Sequence, residues 1–264
     1  MSGDKFADLG PRALSAIVML AVGGGAIWVG GWAFLILTAV VAGAMIYELT
    51  TMLAPKLDRL RVVLLAIIAA AAVIRVGFDS SPMALASLLI APALGLVLLP
   101  SDRGIYAIYA FFLGFSCAAL FWIRALLGLD WTLWLVLTVI ASDIGGYLFG
   151  RLIGGAKLAP SISPGKTWSG TVGGWVLVAL VASYGVVFGG VGIGIVVLGI
   201  VVAMASQIGD LSESWVKRRV GVKDASNLIP GHGGVMDRFD ALSFAAIALF
   251  LMAYFSRLPA LGWG

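Results

Sequence analysis

The chain has 264 residues, of which 61% are hydrophobic and 11% are charged, and its mean hydropathy is +1.08. Soluble domains are about half apolar and about a quarter charged, so this composition excludes an ordinary soluble domain and indicates an integral membrane protein. The net charge of +4 does not indicate a nucleic-acid partner, because basic loops also orient membrane proteins.

The sequence predicts an all-α polytopic membrane protein. A helix needs roughly 20 apolar residues to cross a bilayer, and long unbroken apolar runs favour helices over the alternating strands of a β-barrel. The split between the first two spans is expected at Gly30-Gly31. We predict nine spans, near 13–30, 31–49, 62–77, 82–99, 105–127, 131–150, 169–189, 191–209 and 241–256.

The basic residues predict the orientation of these spans. Cytoplasmic loops of membrane proteins carry an excess of Lys and Arg. With nine spans and a cytoplasmic N-terminus, all Lys and Arg residues, Lys5 included, lie on the inside except Arg75, Arg124 and Arg257. Eight or ten spans would scramble this distribution, and nine spans place the C-terminus outside.

Two longer polar loops, 151–168 and 210–240, are predicted on the cytoplasmic side. Loops on a rigid scaffold often carry function, so a site is expected where these two loops meet. We therefore divide the chain into N-terminal transmembrane helices, 1–130, and a C-terminal transmembrane region, 131–264, that carries this site.

The sixth span contains the sequence "ASDIGGYLFGR", which places Asp143 in an apolar segment. A carboxylate inside a membrane span indicates a functional site, although a buried ion pair with Arg151 or Lys166 would also explain it. The spacing of Gly146 and Gly150, like that of Gly170 and Gly174, is typical of close helix packing.

The loop after this span ends in "SPGKTWSG", residues 163–170. The segment is not a P-loop, because Pro160 stands where the first glycine is required and we expect no strand before it. Ser163, Lys166 and Thr167 are still candidates for phosphate contacts.

The second loop opens with a polar helical pattern. Asp210, Glu213, Ser214 and Lys217 are spaced so that they share one helix face. A solvated face with charge pairs is the alternative, but this helix continues an apolar span, where a carboxylate is costly. We therefore favour a functional role.

A basic cluster follows, made up of Lys217, Arg218, Arg219 and Lys223. Such a cluster can attract anionic lipid headgroups or bind a polyphosphate. Carboxylates interleaved with it favour a metal–phosphate site, because carboxylates bind Mg²⁺ and basic side chains bind phosphate oxygens.

The segment "SNLIPGHGGVMDRFD", residues 226–240, holds the single histidine, His232. Its glycines allow close approach of a ligand to backbone N–H groups, and the next helix N-terminus suits phosphate. We interpret His232 as a hydrogen-bond donor, since no zinc-site partners accompany it. Asp237 is a candidate Mg²⁺ ligand, and Arg238 either contacts phosphate or neutralises Asp240. Asp240 is a metal ligand, a helix cap or the partner of Arg238.

These residues carry a family resemblance. The 27-residue pattern from Ser214 to Asp240, with Lys217-Arg218, Lys223-Asp224, His232-Gly233-Gly234 and Asp237-Arg238-Phe239-Asp240, resembles the signature of the phosphatidate cytidylyltransferases. The segments Gly209-Asp210-x-x-Glu213-Ser214 and Ser163-Pro164-x-Lys166-Thr167-Trp168 also resemble that family. Two departures are Ser169, where many members have Glu, and Gly146, where many have Ala.

The resemblance implies that the chain transfers a cytidylyl group from CTP to phosphatidic acid with Mg²⁺, at the cytoplasmic face of a membrane, the inner one if the chain is bacterial. It implies a site between the spans near 131–150, 191–209 and 241–256, and a homodimer is left open. The implied catalytic residues are Asp210, Ser214, Lys217 and Asp237, and the metal ligands are Asp210, Asp237, Asp143 and Asp240. The implied substrate contacts are Ser163, Lys166, Thr167, Arg218, Lys223, His232, Gly233, Gly234 and Arg238.

Two other functions stay open from the sequence. Another CTP-dependent lipid transferase or a polyprenol kinase would use similar residues. An ion-coupled transporter could use Asp143 and Asp210 as ion sites, but its charges would lie in discontinuous helices at mid-membrane depth. Here the charged residues are predicted to gather at one membrane face, which favours the enzyme.

Overall fold

The fold was determined as a computed structural model, which describes residues 9–189 and 192–256. Lys5 and Arg257, used in the charge distribution, lie outside these ranges. One hairpin joins β1 (Lys157–Ala159) to β2 (Ser163–Thr167), and a π-helical turn, Ile123–Leu127, follows α6. The helices are α1 (Leu9–Val29), α2 (Gly31–Leu53), α3 (Arg59–Phe78), α4 (Pro82–Ser87), α5 (Ile90–Leu98), α6 (Arg103–Trp122), α7 (Leu129–Ile153), α8 (Trp168–Gly189), α9 (Gly194–Arg219) and α10 (Met236–Ser256).

The predicted all-α polytopic class is confirmed. Within the described ranges, eight helices are long and apolar enough to cross a membrane. The predicted separation of the first two spans also holds, because Gly30 interrupts the helix with a φ of 68°. This composition of long apolar helices is that of an integral membrane protein.

The predicted span near 82–99 consists of two short helices, α4 and α5. Pro92 explains the break, because proline lacks an N–H and its ring clashes with the carbonyl four residues earlier, here Leu88. Ser81 marks the start of α4, where its Oγ accepts a hydrogen bond from the Ala84 N–H at 3.2 Å. The count of nine crossings, and the orientation derived from it, therefore stay predictions.

Contacts within the chain define two compact units. The first combines residues up to 125 with 220–239, and the second combines 126–219 with the residues from 240 onward. The proposed division at residue 130 stays a prediction.

In the first unit, α2 packs against α3 and α6. Met45, Ile46 and Leu49 on α2 are fully buried, so this helix is at the centre of the unit. The Tyr106 ring on α6 lies directly over Gly95 of α5, where any Cβ would collide with it. These contacts bury most of α2, while α3 keeps exposed apolar side chains, such as Leu64 and Ile67, that suit contact with lipid.

In the second unit, α8 packs against both α7 and α9. A Cβ on Gly170 would lie 2.5 Å from the Gly146 carbonyl oxygen, and one on Gly174 would lie 2.8 Å from the Ser142 carbonyl oxygen. The predicted glycine packing surfaces are therefore confirmed, and they bring the backbones of α7 and α8 together.

The hairpin between α7 and α8 was not predicted. Its strands are antiparallel, with Lys157 opposite Thr167 and Ala159 opposite Ser163. The expectation that no strand precedes Lys166 is therefore wrong. Lys166 and Thr167 lie on β2 itself, so the hairpin sets the position of both side chains directly before α8.

Candidate active site

A cavity of about 590 Å³ lies within the second unit. Residues of α7, β2, α8 and α9 line it, including Asp143, Arg151, Lys166, Thr167 and Asp210. Four of these five were candidate site residues from the sequence, and Arg151 was considered only as an ion-pair partner. The cavity therefore gathers charged groups from segments that are far apart in the chain.

An ion pair between Lys166 and Asp210 crosses this cavity region. The Lys166 Nζ lies 2.5 Å from Asp210 Oδ2, and the two side chains are 26% and 33% exposed. The hydroxyl of Ser214, one helical turn further along α9, donates to Asp210 Oδ1 at 3.4 Å. Asp210 is thus oriented from two sides, by β2 and by its own helix.

Asp143 lies on α7 within electrostatic reach of both Asp210 and Lys166. One ammonium group therefore faces two carboxylates. Two carboxylates that share one ammonium group can also bind a cation between them.

A hydrogen-bonded amide forms part of the cavity wall. The Gln207 Oε1 accepts from the Trp175 indole N–H at 2.9 Å, and its Nε2 donates to the Ser142 hydroxyl at 3.3 Å and the Thr171 carbonyl at 3.2 Å. The amide therefore links α7, α8 and α9 through hydrogen bonds. The sequence reading missed this residue, which occupies an otherwise apolar span.

The polar end of α9 carries a second charge cluster. The Lys217 Nζ lies 2.8 Å from Glu213 Oε2, and Glu213 is completely buried. Asp240, on α10, contacts the side chain of Glu213 and is within electrostatic reach of Asp210 and Lys217. Lys217, predicted as catalytic, is therefore held by a buried carboxylate.

The carboxylates of the cavity fit Mg²⁺ as a partial ligand set, which substrate phosphates and waters would complete. Among the described residues, no group of three or more Asp, Glu, His or Cys side chains is arranged to hold a metal ion. Mg²⁺ is usually bound by one or two carboxylates together with substrate phosphates and waters. Asp143 and Asp210, which line the same cavity, match that chemistry, and Asp240 lies near Asp210.

The start of α8 is capped by Thr167. Its Oγ1 accepts from the Gly170 N–H at 3.1 Å, which satisfies one of the unpaired N–H groups of the first turn. Ser169, one of the two departures from the family pattern, donates to the Gly154 carbonyl at 2.5 Å. Ser169 therefore ties the start of α8 to the end of α7.

Three further candidate phosphate contacts lie on different segments of the chain. Ser163 begins β2, opposite Ala159. The Arg218 Nε donates to the Ile162 carbonyl at 3.3 Å, which attaches the basic end of α9 to the hairpin turn. Lys223, in the first unit, is exposed. Their phosphate contacts stay predictions.

In the first unit, Asp237 organises the glycine-rich segment before α10. Its Oδ2 accepts from the N–H groups of Ala225 and Gly234, at 2.9 and 2.8 Å. Gly233 has a φ of +82°, and a Cβ there would lie 2.9 Å from Asp237 Oδ2. The glycine at this position is thus required by the carboxylate as well as by the backbone. The ion that the sequence assigns jointly to Asp210 and Asp237 stays a prediction.

His232 and Arg238 are connected within this segment. The Arg238 Nε donates to the His232 carbonyl at 3.0 Å, and the His232 N–H donates to the Ile229 carbonyl at 2.9 Å. Among the described residues, the buried His232 Nδ1 has no hydrogen-bond partner. The predicted ligand contacts of both residues stay predictions.

The N–H groups at the start of α10 do not form an open anion pocket. Val235 and Met236 donate to the Glu48 carboxylate of α2, at 2.8 and 2.7 Å. Glu48 is completely buried and was missed from the sequence. The rule that identified Asp143, a carboxylate in an apolar span, would also have found Glu48.

Comparison with known proteins gives one family. The model of the cytidylyltransferase family matches residues 11–256. A phosphatidate cytidylyltransferase of Brucella suis is 37% identical over 92% of this chain and 93% of its own length. Similar proteins of that name from Haemophilus influenzae and Helicobacter pylori are 44% and 36% identical, over 48% and 55% of this chain and 46% and 55% of their own lengths. The chain therefore belongs to the cytidylyltransferase family.

Proposed function

We propose that this protein transfers the cytidylyl group of CTP to phosphatidic acid, forming CDP-diacylglycerol and pyrophosphate. Family membership and the names of the relatives support the reaction class. The structural observation that carries the proposal is the cavity of the second unit, where Lys166 pairs with Asp210 beside Asp143. Anionic substrates that arrive with a divalent cation need both signs of charge in one place.

The chemistry needs positioning more than acid–base catalysis. A phosphomonoester has a second pKa of about 6, so the lipid phosphate is already a good nucleophile at neutral pH. Its oxygen forms a bond to the α-phosphorus of CTP, and the bond from that phosphorus to the bridging oxygen of pyrophosphate breaks. The site must hold the two reactants in line and neutralise their negative charge.

The residues divide this work as follows. Asp143 and Asp210 would hold Mg²⁺, with Asp237 and Asp240 as further candidates, and Mg²⁺ would neutralise the triphosphate and the leaving pyrophosphate. Lys166 would exchange part of its contact with Asp210 for phosphate oxygens. Ser214 keeps Asp210 oriented through its hydroxyl, and buried Glu213 holds the Lys217 ammonium in place.

The location of the reaction follows from its substrates. CTP is dissolved in the cytosol and phosphatidic acid lies in the membrane, so the cavity must be reached from both. The charge distribution of the sequence supports a site on the cytoplasmic face of the membrane, which would be the inner membrane if the chain is bacterial. Pairing of two chains stays a prediction.

Transfer of label from CTP tests the proposal. Purified protein is mixed with phosphatidic acid, Mg²⁺ and CTP labelled at either the α- or the γ-phosphate. We expect the α-label in the lipid and the γ-label in pyrophosphate, in equal amounts. With a lipid alcohol added beside phosphatidic acid, a lipid kinase would instead place the γ-label in that alcohol, and an ion-coupled transporter would label no lipid; either result would overturn the proposal.

A further inference from the structure

We propose that Glu48 is a positioning residue for the reaction, acting from α2 on the segment 225–239. Within the first unit, Glu48 is a fully buried carboxylate in an apolar span. Such a group is costly in a membrane helix and is retained only where specific partners satisfy it. Among the described residues, the hydrogen-bond partners of its side chain belong to the segment that carries the family resemblance.

Three hydrogen bonds converge on this carboxylate. Glu48 Oε1 accepts from the Ser226 hydroxyl at 2.5 Å and from the Val235 N–H at 2.8 Å. Oε2 accepts from the Met236 N–H at 2.7 Å. Glu48 therefore binds both ends of the segment and caps the first turn of α10 across a long sequence separation.

The same segment is held from inside by Asp237, which accepts the N–H groups of Ala225 and Gly234. The two carboxylates thus accept hydrogen bonds from three consecutive backbone N–H groups. Asp237 accepts from Gly234, and Glu48 accepts from Val235 and Met236. Through these amides, Glu48 sets the position of the backbone from which Asp237 projects. Glu48 acts on the reaction through Asp237 and does not itself contact substrate.

Gly234 supplies an independent sign of this contact. A Cβ at residue 234 would lie 2.7 Å from Glu48 Oε1 and 2.9 Å from its Cδ. The residue has no positive φ, so backbone conformation alone does not demand glycine there. Glycine is required there because the Glu48 carboxylate lies so close that any side chain at residue 234 would displace it.

A double-mutant cycle tests this inference. Glu48→Ala and Gly234→Ala should each lower kcat by about 10- to 100-fold, the range for residues that orient a functional carboxylate. Together they should be less than additive, because the three atoms nearest to the added methyl all belong to the Glu48 side chain. Fully additive effects would overturn the inference, since they would mean that Gly234 acts through a contact other than Glu48.

Hydrogen–deuterium exchange supplies a readout that does not depend on activity. The inference rests on the proposed function for the segment's role, but exchange reports the contact itself, so the two can fail separately. Glu48→Gln and the milder Ser226→Ala should speed exchange of 225–239, the former by about tenfold or more, while α6 keeps its protection. Thr38→Val is the matched control, because Thr38 is buried and its hydroxyl donates to the Leu35 carbonyl of its own helix.

The outcomes are distinct. Faster exchange confined to 225–239 in Glu48→Gln and Ser226→Ala, with wild-type exchange in Thr38→Val, would support the inference. Exchange within twofold of wild type in both variants would overturn it. If Glu48→Gln does not yield folded protein, Ser226→Ala and Gly234→Ala, which keep the carboxylate, decide the question by the same criterion.

Discussion

Lys166 on β2 and Asp210 on α9 are joined by an ion pair, with Nζ 2.5 Å from Oδ2. The ammonium group that contacts Asp210 therefore comes from a hairpin that the sequence does not reveal. Asp210 itself lies on α9, a helix long and apolar enough to span a membrane. Because both side chains are partly exposed, the ion pair contributes little to the stability of the fold. Its main effect is to arrange charged groups for ligands in the cavity.

Replacing Lys166 should impair transfer. Lys166→Met leaves Asp210 and Asp143 facing each other without their shared cation, and we expect kcat/KM to fall by about 100-fold, the scale for a lost charge-stabilising group. Lys166→Arg should retain part of the activity. Lys157→Met on the neighbouring strand is the control, because Lys157 is exposed. Equal activity of the Lys166→Met and Lys157→Met proteins would refute this role.

Contact between α7 and α8 should not tolerate a methyl group at residue 170. A Cβ there would lie 2.5 Å from the Gly146 carbonyl oxygen, which is backbone and cannot rotate away. Overpacking of this kind costs about 1–3 kcal/mol, so Gly170→Ala should lower the Tm in detergent. Gly185→Ala, in the same helix with nothing within 4 Å of the added Cβ, should leave the Tm unchanged or raise it. Equal Tm values for both variants would contradict the packing.

The Gln207–Trp175 hydrogen bond should appear as an energetic coupling. Gln207→Leu and Trp175→Phe each remove the 2.9 Å bond. Interhelical hydrogen bonds in membrane proteins couple by about 0.6 kcal/mol on average and by at most about 1.7. Unfolding free energies of the two single variants and the double variant, measured in denaturant, should show coupling in this range. Strict additivity would mean that the bond contributes nothing.

Thr167 should matter for stability through its hydroxyl. Thr167→Val keeps the shape but loses the cap on the Gly170 N–H, at a cost of about 1 kcal/mol. Thr167→Ser keeps the hydroxyl and should remain close to the wild type in Tm. A valine variant as stable as the serine variant would show that the cap is unimportant.

Much of the fold could be predicted because apolar runs of bilayer length allow few structures. The ends of the spans were less accurate, since α9 continues through polar residues to Arg219 and α10 begins at Met236. Hydropathy identifies the apolar part of a helix, and it does not show where the helix continues into polar residues. Pro92 could have predicted the break before α5. The high apolar content of 82–99 instead favoured a single continuous span.

The candidate site was predicted in part. Asp143, Lys166, Thr167 and Asp210 line one cavity, as intramembrane charge and family resemblance suggested. Gln207 was missed because its partners are far away in sequence and an uncharged polar residue in an apolar span gives no strong signal. Glu48 was missed although it meets the rule that identified Asp143, because the sequence does not show which distant groups the carboxylate binds. The spacing of Asp237 could not reveal that it binds the amides of Ala225 and Gly234, which depends on how the segment folds back on itself.

The rate at which Asp210→Asn moves label from α-labelled CTP into lipid tests the central claim most directly. The substitution keeps the size of the side chain but removes the charge that pairs with Lys166 and would hold Mg²⁺. We predict a loss of at least about 100-fold relative to wild type, with Asp58→Asn, at an exposed carboxylate, unchanged. Transfer by Asp210→Asn within threefold of wild type would contradict the assignment of this cavity as the site of the reaction.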